Sequence, residues 1–357
     1  MTPPIAPAPS ELAARIAESL GAFTARRRGE LAEIGKELLP AMDVLDGLLS
    51  GGKRLRPAFC YWAWRGAGGA PEGDAAIVAA AASLELLQAS ALVHDDVMDG
   101  SDTRRGRPAA HRALAALHRE NGWRSDPAAF GVGGAILLGD LCLAWSDAMF
   151  TGCGLPPETV AAARPVYDAM RTELMCGQYL DLAEQARGLS SVESALHVVR
   201  YKSAKYTVER PLHIGAALAG RTDLAEAYTA FGMPLGIAFQ LRDDVLGVFG
   251  DPAETGKPAG DDLREGKRTV LVAAAMERAS RDQSEILRAR LGDPALDTEG
   301  VAVLREIIRD TGGLTACESL IDRYASEAET ALSAAPITDD ARAALSSLAV
   351  AATSRRS

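Results

Sequence analysis

From Glu11 onward, apolar residues return every three or four positions in long segments punctuated by Gly and Pro. That is the spacing of one buried helical face and not the alternation of a strand. It predicts helices over 11–48, 54–66, 74–99, 109–119, 131–151, 157–186, 191–219, 223–248, 262–291, 298–312 and 314–352, with no internal repeat at solenoid periods. The stretch Ala75 to Val93 is the most apolar, but Ser83, Glu85, Gln88 and Ser90 interrupt it, so it reads as a helix buried in protein and not as a membrane span. The opening MTPPIAPAPS carries prolines without a basic or apolar signal and reads as a disordered leader over 1–10.

Composition narrows the fold. A chain of 357 residues with 48% apolar content allows one large or two average domains. Aromatics make up only 5% and β-branched runs are few, which favours helix throughout and an all-α single domain over 11–357. A net charge of −10 argues against a nucleic-acid partner, which requires a basic face. Cys60, Cys142, Cys153, Cys176 and Cys317 are odd in number and lack metal-ligand spacing, so a reducing cytoplasmic setting is expected and a disulfide framework is not.

Two predicted helices end in paired carboxylates. His94-Asp95-Asp96-Val97-Met98-Asp99 places Asp95 and Asp99 one turn apart on one face, and Gln240-Leu241-Arg242-Asp243-Asp244 closes a second apolar helix. Like charges at this spacing repel, and acids at a helix C-terminus oppose the macrodipole. A solvated helix end explains one such cluster, but two point to a compensating Mg²⁺, which binds through one or two carboxylates plus substrate phosphates. The breaks Ser50–Pro57, Gly100–Pro108 and Thr255–Gly260 combine cations with Gly or Pro and offer anion-binding groups. His94, His111 and His118 lack the accompanying carboxylates of a metal site and read as surface or capping residues.

Asp95-Asp96-x-x-Asp99 with Thr103-Arg104-Arg105-Gly106 after it, Gly52-Lys53-x-x-Arg56-Pro57 before it and Phe239-Gln240-x-x-Asp243-Asp244 downstream resembles the trans-isoprenyl diphosphate synthase (polyprenyl synthetase) family. Gly177-Gln178-Tyr179-x-Asp181, Lys202-Ser203-Ala204-Lys205-Tyr206-Thr207, Gly256-Lys257 and Asp262 to Lys267 match in order and spacing, so the resemblance covers about 48–275. It implies an isoprenoid-synthase helical bundle with a central active-site cavity and a homodimer. It also implies a reaction that begins with loss of diphosphate from an allylic substrate. Under it, Asp95, Asp99 and Asp243 hold two or three Mg²⁺ ions, while Asp96 and Asp244 orient ligands or waters. Arg104, Lys202, Lys257 and Lys267 face the allylic diphosphate. Isopentenyl diphosphate sits on Lys53, Arg56, Arg105 and Gln88 without a metal. Gln240 and the carbonyls near Lys202 and Ser203 stabilise the allylic cation, and released diphosphate takes the proton. Close helix packing accounts for Gly177 as well as the family motif does. One departure stands out: Gly247 occupies the place where many relatives carry a third aspartate.

In short-product relatives a bulky aromatic stands four or five residues before the first aspartate. Here Ala91 and Ser90 occupy those positions and leave one turn, about 5.4 Å, open below the acidic end. Leu87 lies on the next turn as a floor, which predicts geranylgeranyl diphosphate as product, with farnesyl or longer diphosphates as the alternatives. A type I terpene cyclase needs an Asn, Ser/Thr, Glu series at four-residue steps. Asn121 and Ser125 begin one, but Ala129 ends it, and Gly122 and Pro127 break the helix. A non-catalytic regulatory subunit would not be expected to retain Asp95, Asp96, Asp99, Asp243 and Asp244.

Overall fold

Long alanine- and leucine-rich segments wind into helices that account for most of the described residues, and the local signals at their ends are physically legible. A computed structural model describes residues 9–188, 191–251 and 260–353. The expected all-α class is what the structure has. Two compact units are present: Met1–Ala163 with Ile214–Arg221, and Arg164–His213 with Thr222–Ser357. Of the leader, Pro9 and Ser10 already belong to the first helix, and 1–8 lie outside the described residues.

The first unit contains α1 (Pro9–Ile34), α2 (Leu39–Leu49), α3 (Leu55–Gly66), α4 (Asp74–Asp99), α5 (Ala110–Glu120) and α6 (Pro127–Thr151). A two-stranded hairpin, β1 (Thr103–Arg104) and β2 (Arg107–Pro108), lies between α4 and α5. Helix α4 is its centre and packs against α1, α3, α5 and α6. Ile77, Leu84 and Leu87 on α4 and Phe59 on α3 are almost wholly buried, each stabilising the unit by roughly 1.5–3 kcal/mol. Asp126 caps α6 by accepting from the amides of Ala128 and Ala129, with Pro127 preset for the first turn.

The chain passes into the second unit along α7 (Pro157–Arg187). There follow α8 (Val192–Val199), a π-helical segment (Arg200–Glu209), α9 (Arg210–Leu218), whose residues from Ile214 belong to the first unit, and α10 (Ala225–Phe249). Then come α11 (Asp261–Arg264), α12 (Val270–Met276), α13 (Arg281–Arg290), α14 (Thr298–Asp310), α15 (Gly313–Ala334) and α16 (Asp339–Thr353). Helix α10 forms the middle of this unit, with Ile237, Leu241, Val245 and Val248 in one apolar cluster with Leu271, Leu304, Ile308 and Ile321.

Four of the expected helices are broken in the structure. Residues 11–48 divide near Gly35, and α2 restarts with Pro40 in its first turn, where a missing amide does no harm. Residues 191–219 change register in the π-helical segment. Residues 262–291 become three helices because Gly266 has φ 74°, the Thr269 side chain caps α12 and a Ser280–Gln283 capping box starts α13. Residues 314–352 part where α15 ends at Ala334, two residues before Pro336. Among the described residues, two stretches are long and apolar enough to cross a membrane: Pro71–Asp99, whose most apolar window is 72% buried, and Pro127–Thr151, 33% buried. The second therefore presents an open apolar face, with Phe130, Val132, Ile136 and Leu137 exposed.

Candidate active site

In the first unit α4 stops because Gly100 adopts φ 68°, and the amides of Gly100 and Ser101 both close on the Asp96 carbonyl. The last turn brings the acids to the edge of the core, where both Asp99 carboxylate oxygens are still shielded from solvent. Asp95 and Asp99 are partly exposed there, whereas Asp96 is 2% exposed. Arg104 from β1 donates its Nε to Asp96 Oδ1 at 2.8 Å, its Nη2 also bonds the same oxygen, and that nitrogen lies 3.8 Å from Asp95. An unpaired buried carboxylate is strongly destabilising, and Arg104 supplies Asp96 with its partner.

The hairpin turn carries Arg105 at φ 54° and Gly106 at φ 72°, the left-handed pair that a tight two-residue turn demands. From there Arg105 donates Nη1 to the carbonyls of Leu48 and Gly51, both at 2.7 Å. Gly52 sits so near that a Cβ on it would lie 2.8 Å from Arg105 Nη2. The loop bearing Lys53, which leads into Arg56 in the first turn of α3, is therefore docked on the hairpin bearing Arg104 and Arg105. Arg54, left-handed at φ 53°, turns inward and pairs with buried Glu85 on α4, also reaching the Leu49 carbonyl. Burial lowers the Arg105 pKa, Glu85 opposes this, and the nearby Arg54, Arg56 and Arg104 lower it further. Glu85 is thus the counter-charge around which mutually repelling cations assemble. Lys53 is exposed, and Arg56 and Gln88 are partly exposed.

The second unit repeats the division of labour between paired acids. Asp243 is partly exposed, while Asp244 is 6% exposed and accepts from Gln240 Nε2 at 2.8 Å. Burial pushes the Asp244 carboxyl up to about 8; Gln240 and Lys267 oppose this, and the negative neighbours Asp262 and Asp243 reinforce it. Gln240 Oε1 accepts from Ser203 Oγ at 2.6 Å, and adjacent Lys202 donates to Asp181 at 2.6 Å. Lys202, Ser203, Gln240 and Asp244 are thereby one connected set. The close packing expected at Gly177 is present: a Cβ there would lie 2.4 Å from the Lys202 amide nitrogen. Lys267 pairs with Glu265 at 2.7 Å and lies 3.5 Å from Asp262.

Gly247, the missing third aspartate, stands against another acid. A Cβ on Gly247 would fall 1.8 Å from Asp262 Oδ2, so the Asp262 carboxylate already fills the space that a side chain at 247 would take. The sequence alone assigns Asp262 no role and does not reveal the Arg54–Glu85 pair. The available signals were an arginine between two candidate phosphate ligands and a glutamate inside an apolar helix.

Of the chain-length candidates, Leu87 and Ser90 are buried at 1% and 4% exposure and Ala91 is partly exposed. Lys257 lies outside the described residues. The histidines do not cluster: His94 Nε2 lies 3.1 Å from the Ile136 carbonyl, His118 Nε2 lies 2.9 Å from the Arg124 carbonyl, and His111 is buried. Among the described residues, no three His, Cys, Asp or Glu side chains form a ready-made metal cage. Paired, partly exposed aspartates fit instead a hard cation that keeps waters and shares phosphate oxygens.

Residues 41–309 match the family model described as polyprenyl synthetase. The chain is 34% identical to the geranylfarnesyl diphosphate synthase of Aeropyrum pernix over 81% of this chain and 86% of that protein. It is also 34% identical to the geranylgeranyl diphosphate synthase of Sulfolobus acidocaldarius over 73% of this chain and 74% of that one. Its fold superposes with a TM-score of 0.92 on a Corynebacterium glutamicum geranylgeranyl pyrophosphate synthase complexed with isoprenyl diphosphate and magnesium, at 43% identity over 96% of this chain and 98% of that chain.

Proposed function

Because the chain belongs to the polyprenyl synthetase family, we propose that it condenses isopentenyl diphosphate head to tail with an allylic diphosphate and releases geranylgeranyl diphosphate. It is a prenyltransferase that makes a polyprenyl diphosphate. The observation that carries the reading is the repeated acid pair late in a core helix, in which Asp96 and Asp244 are buried and side-chain bonded while the preceding Asp95 and Asp243 are only half-buried. The family model spans both units, and we take 11–357 as one synthase domain.

Asp95, Asp99 and Asp243 would hold two or three Mg²⁺ ions, with Asp262 as the acid standing in for the one absent at 247. Bound Mg²⁺ supplies Lewis-acid stabilisation of the departing diphosphate. Arg104, Lys202, Lys257 and Lys267 add positive charge for the allylic diphosphate. Lys53, Arg56, Arg105 and Gln88 receive isopentenyl diphosphate. Arg105 is held on backbone carbonyls and Arg56 stands near it in the first turn of α3, which supports a preorganised cationic cradle. Ser203 aligns the Gln240 amide, whose oxygen faces developing positive charge without acting as a base. Ala91 and Ser90 leave room for chain growth and Leu87 forms the floor. Five free thiols support a reducing, cytoplasmic location. The open apolar face of α6 supports a homodimer, because patches of this kind on a soluble chain mark interaction sites.

Incubation with Mg²⁺, isopentenyl diphosphate and each allylic primer in turn, followed by mass analysis of the dephosphorylated alcohols, tests the reading. Geranylgeraniol as the longest major alcohol is expected. Failure to consume isopentenyl diphosphate with every primer refutes synthase activity, and a dominant farnesol or geranylfarnesol refutes the product assignment. Light scattering of the wild type and Leu137→Glu tests the dimer; a monomeric wild type overturns it.

A further inference from the structure

The π-helical segment Arg200–Glu209 is ten residues long, and such i→i+5 geometry is rare beyond a single turn and concentrates at functional sites. Its own sequence, RYKSAKYTVE, carries Tyr201, Tyr206, Thr207 and Val208, which do little to stabilise any helix. Something outside the segment must hold the wide register. Close backbone approaches fix its middle: a Cβ on Gly177 would lie 2.4 Å from the Lys202 nitrogen, and one on Gly236 would lie 2.5 Å from the Ala204 Cα. Neither contact selects the register at the far end.

The carboxylate of Glu173 does, with Glu209 Oε2 a more distant partner at 3.6 Å from Lys205 Nζ and 4.0 Å from Arg210 Nε. Glu173 on α7 accepts from Lys205 Nζ at 2.8 Å and from Arg210 Nε and Nη2 at 2.6 Å each, the last two as a bidentate fork. Lys205 and Arg210 are five residues apart and are also joined by the closing π hydrogen bond, from the Arg210 amide to the Lys205 carbonyl. At about 100° per residue, side chains five apart on an α-helix point about 140° away from each other, and only a wider helix brings them to one partner. Burial raises the Glu173 pKa, but Arg210 and Lys205 outweigh it and hold the carboxyl below the usual glutamate range. The far side is fixed by Thr229, which donates to Glu209 at 3.0 Å, and by His213, within 3.2 Å of Arg210 Nη1.

We propose that Glu173 is a positioning residue: by bridging Lys205 and Arg210 it locks Arg200–Glu209 in π register and so fixes how Lys202, Ser203 and their carbonyls are presented to the allylic substrate. The functional half rests on the synthase reading; the register half does not. Relaxation to an α-helix would rotate Lys202 away from Asp181 and Ser203 away from Gln240.

The test compares wild type with Glu173→Ala and Glu173→Gln by amide hydrogen exchange and by steady-state kinetics with Mg²⁺, isopentenyl diphosphate and an allylic primer. In Glu173→Ala, exchange across residues 200–210 should rise by more than about 10-fold while α4 keeps its protection. Turnover should fall about 10–100-fold with the KM for isopentenyl diphosphate within about twofold of wild type, the signature of a misplaced reacting group. Glu173→Gln, which keeps the shape and one strong acceptor, should fall between. Unchanged exchange over 200–210 overturns the clamp, and raised exchange with unchanged turnover overturns its positioning role. A wild type that does not turn over sinks the synthase reading, and the exchange result then still decides the register. Should Glu173→Ala not fold, Arg210→Lys, which keeps the charge but loses the fork, is read by the same criteria.

Discussion

Adding back the aspartate that many relatives carry at position 247 should weaken this protein. Gly247 lies inside α10, where Gly→Ala normally stabilises by about 1 kcal/mol through backbone entropy. Here the new Cβ would meet Asp262 Oδ2 at 1.8 Å and Cγ at 2.5 Å. The Asp262 side chain must swing aside, losing its approach to Lys267 at 3.5 Å. Overpacking of this kind costs about 1–3 kcal/mol, and a partly exposed ion pair contributes up to about 1 kcal/mol. Gly247→Ala is therefore expected to destabilise by about 1–2 kcal/mol, reversing the sign that helix propensity gives. Gly247→Asp adds a fourth carboxylate beside Asp243, Asp244 and Asp262; a like-charged pair at ~4 Å and an effective dielectric near 20 repels by about 4 kcal/mol before screening. It should be the less stable of the two without metal, and saturating Mg²⁺ should narrow the gap. Denaturant melts of both variants, of Asp262→Ala and of the Gly247→Ala/Asp262→Ala double variant give the coupling directly, because removing the Asp262 carboxylate should restore most of the alanine's stability. A Gly247→Ala protein as stable as wild type, or strictly additive losses in the double variant, would refute the reasoning.

Three further outcomes follow from the same geometry. Arg54→Ala should lower stability by about 3–5 kcal/mol, since it leaves Glu85 charged and buried, and should raise the KM for isopentenyl diphosphate more than that for the allylic primer; melts and paired kinetics check both. Ala91→Phe should shorten the major product by one isoprene unit or more with little change in melting temperature, whereas Leu87→Ala should lengthen it while losing about 2–5 kcal/mol, because Leu87 is only 1% exposed; alcohol profiles that do not move would remove the wall. Burial lowers the His213 pKa despite the pull of Glu209, so the folded state resists its protonation. Its contribution to stability is present above the unfolded value near 6.5 and is lost as pH falls below it toward the depressed folded value. Melting temperature should drop between about pH 7 and pH 5, and His213→Gln should flatten that slope.

The all-α class and the acid pairs late in α4 and α10 were legible because they depend on local spacing: a 3.6-residue apolar period, adjacent aspartates and, for α4, an i,i+4 acid pair and a glycine stop. The family was legible because its motifs are short and ordered. Helix breaks were read less well where the signal was a proline or a capping side chain inside an otherwise continuous apolar pattern, as at Pro40 and Ser280.

What the sequence determined by itself is the chemistry on offer, namely which acids, cations and amides stand at which helix ends. The tertiary structure alone decided which partner each one meets. Arg54 finds Glu85 across 31 residues, Asp262 takes the space left by Gly247, and Glu173 gathers Lys205 and Arg210. The physical reason is range. Propensity and periodicity act over a few residues, whereas these pairings arise from the approach of backbones far apart in the chain, and in Arg200–Glu209 that approach outweighs the local preference for an α-helix.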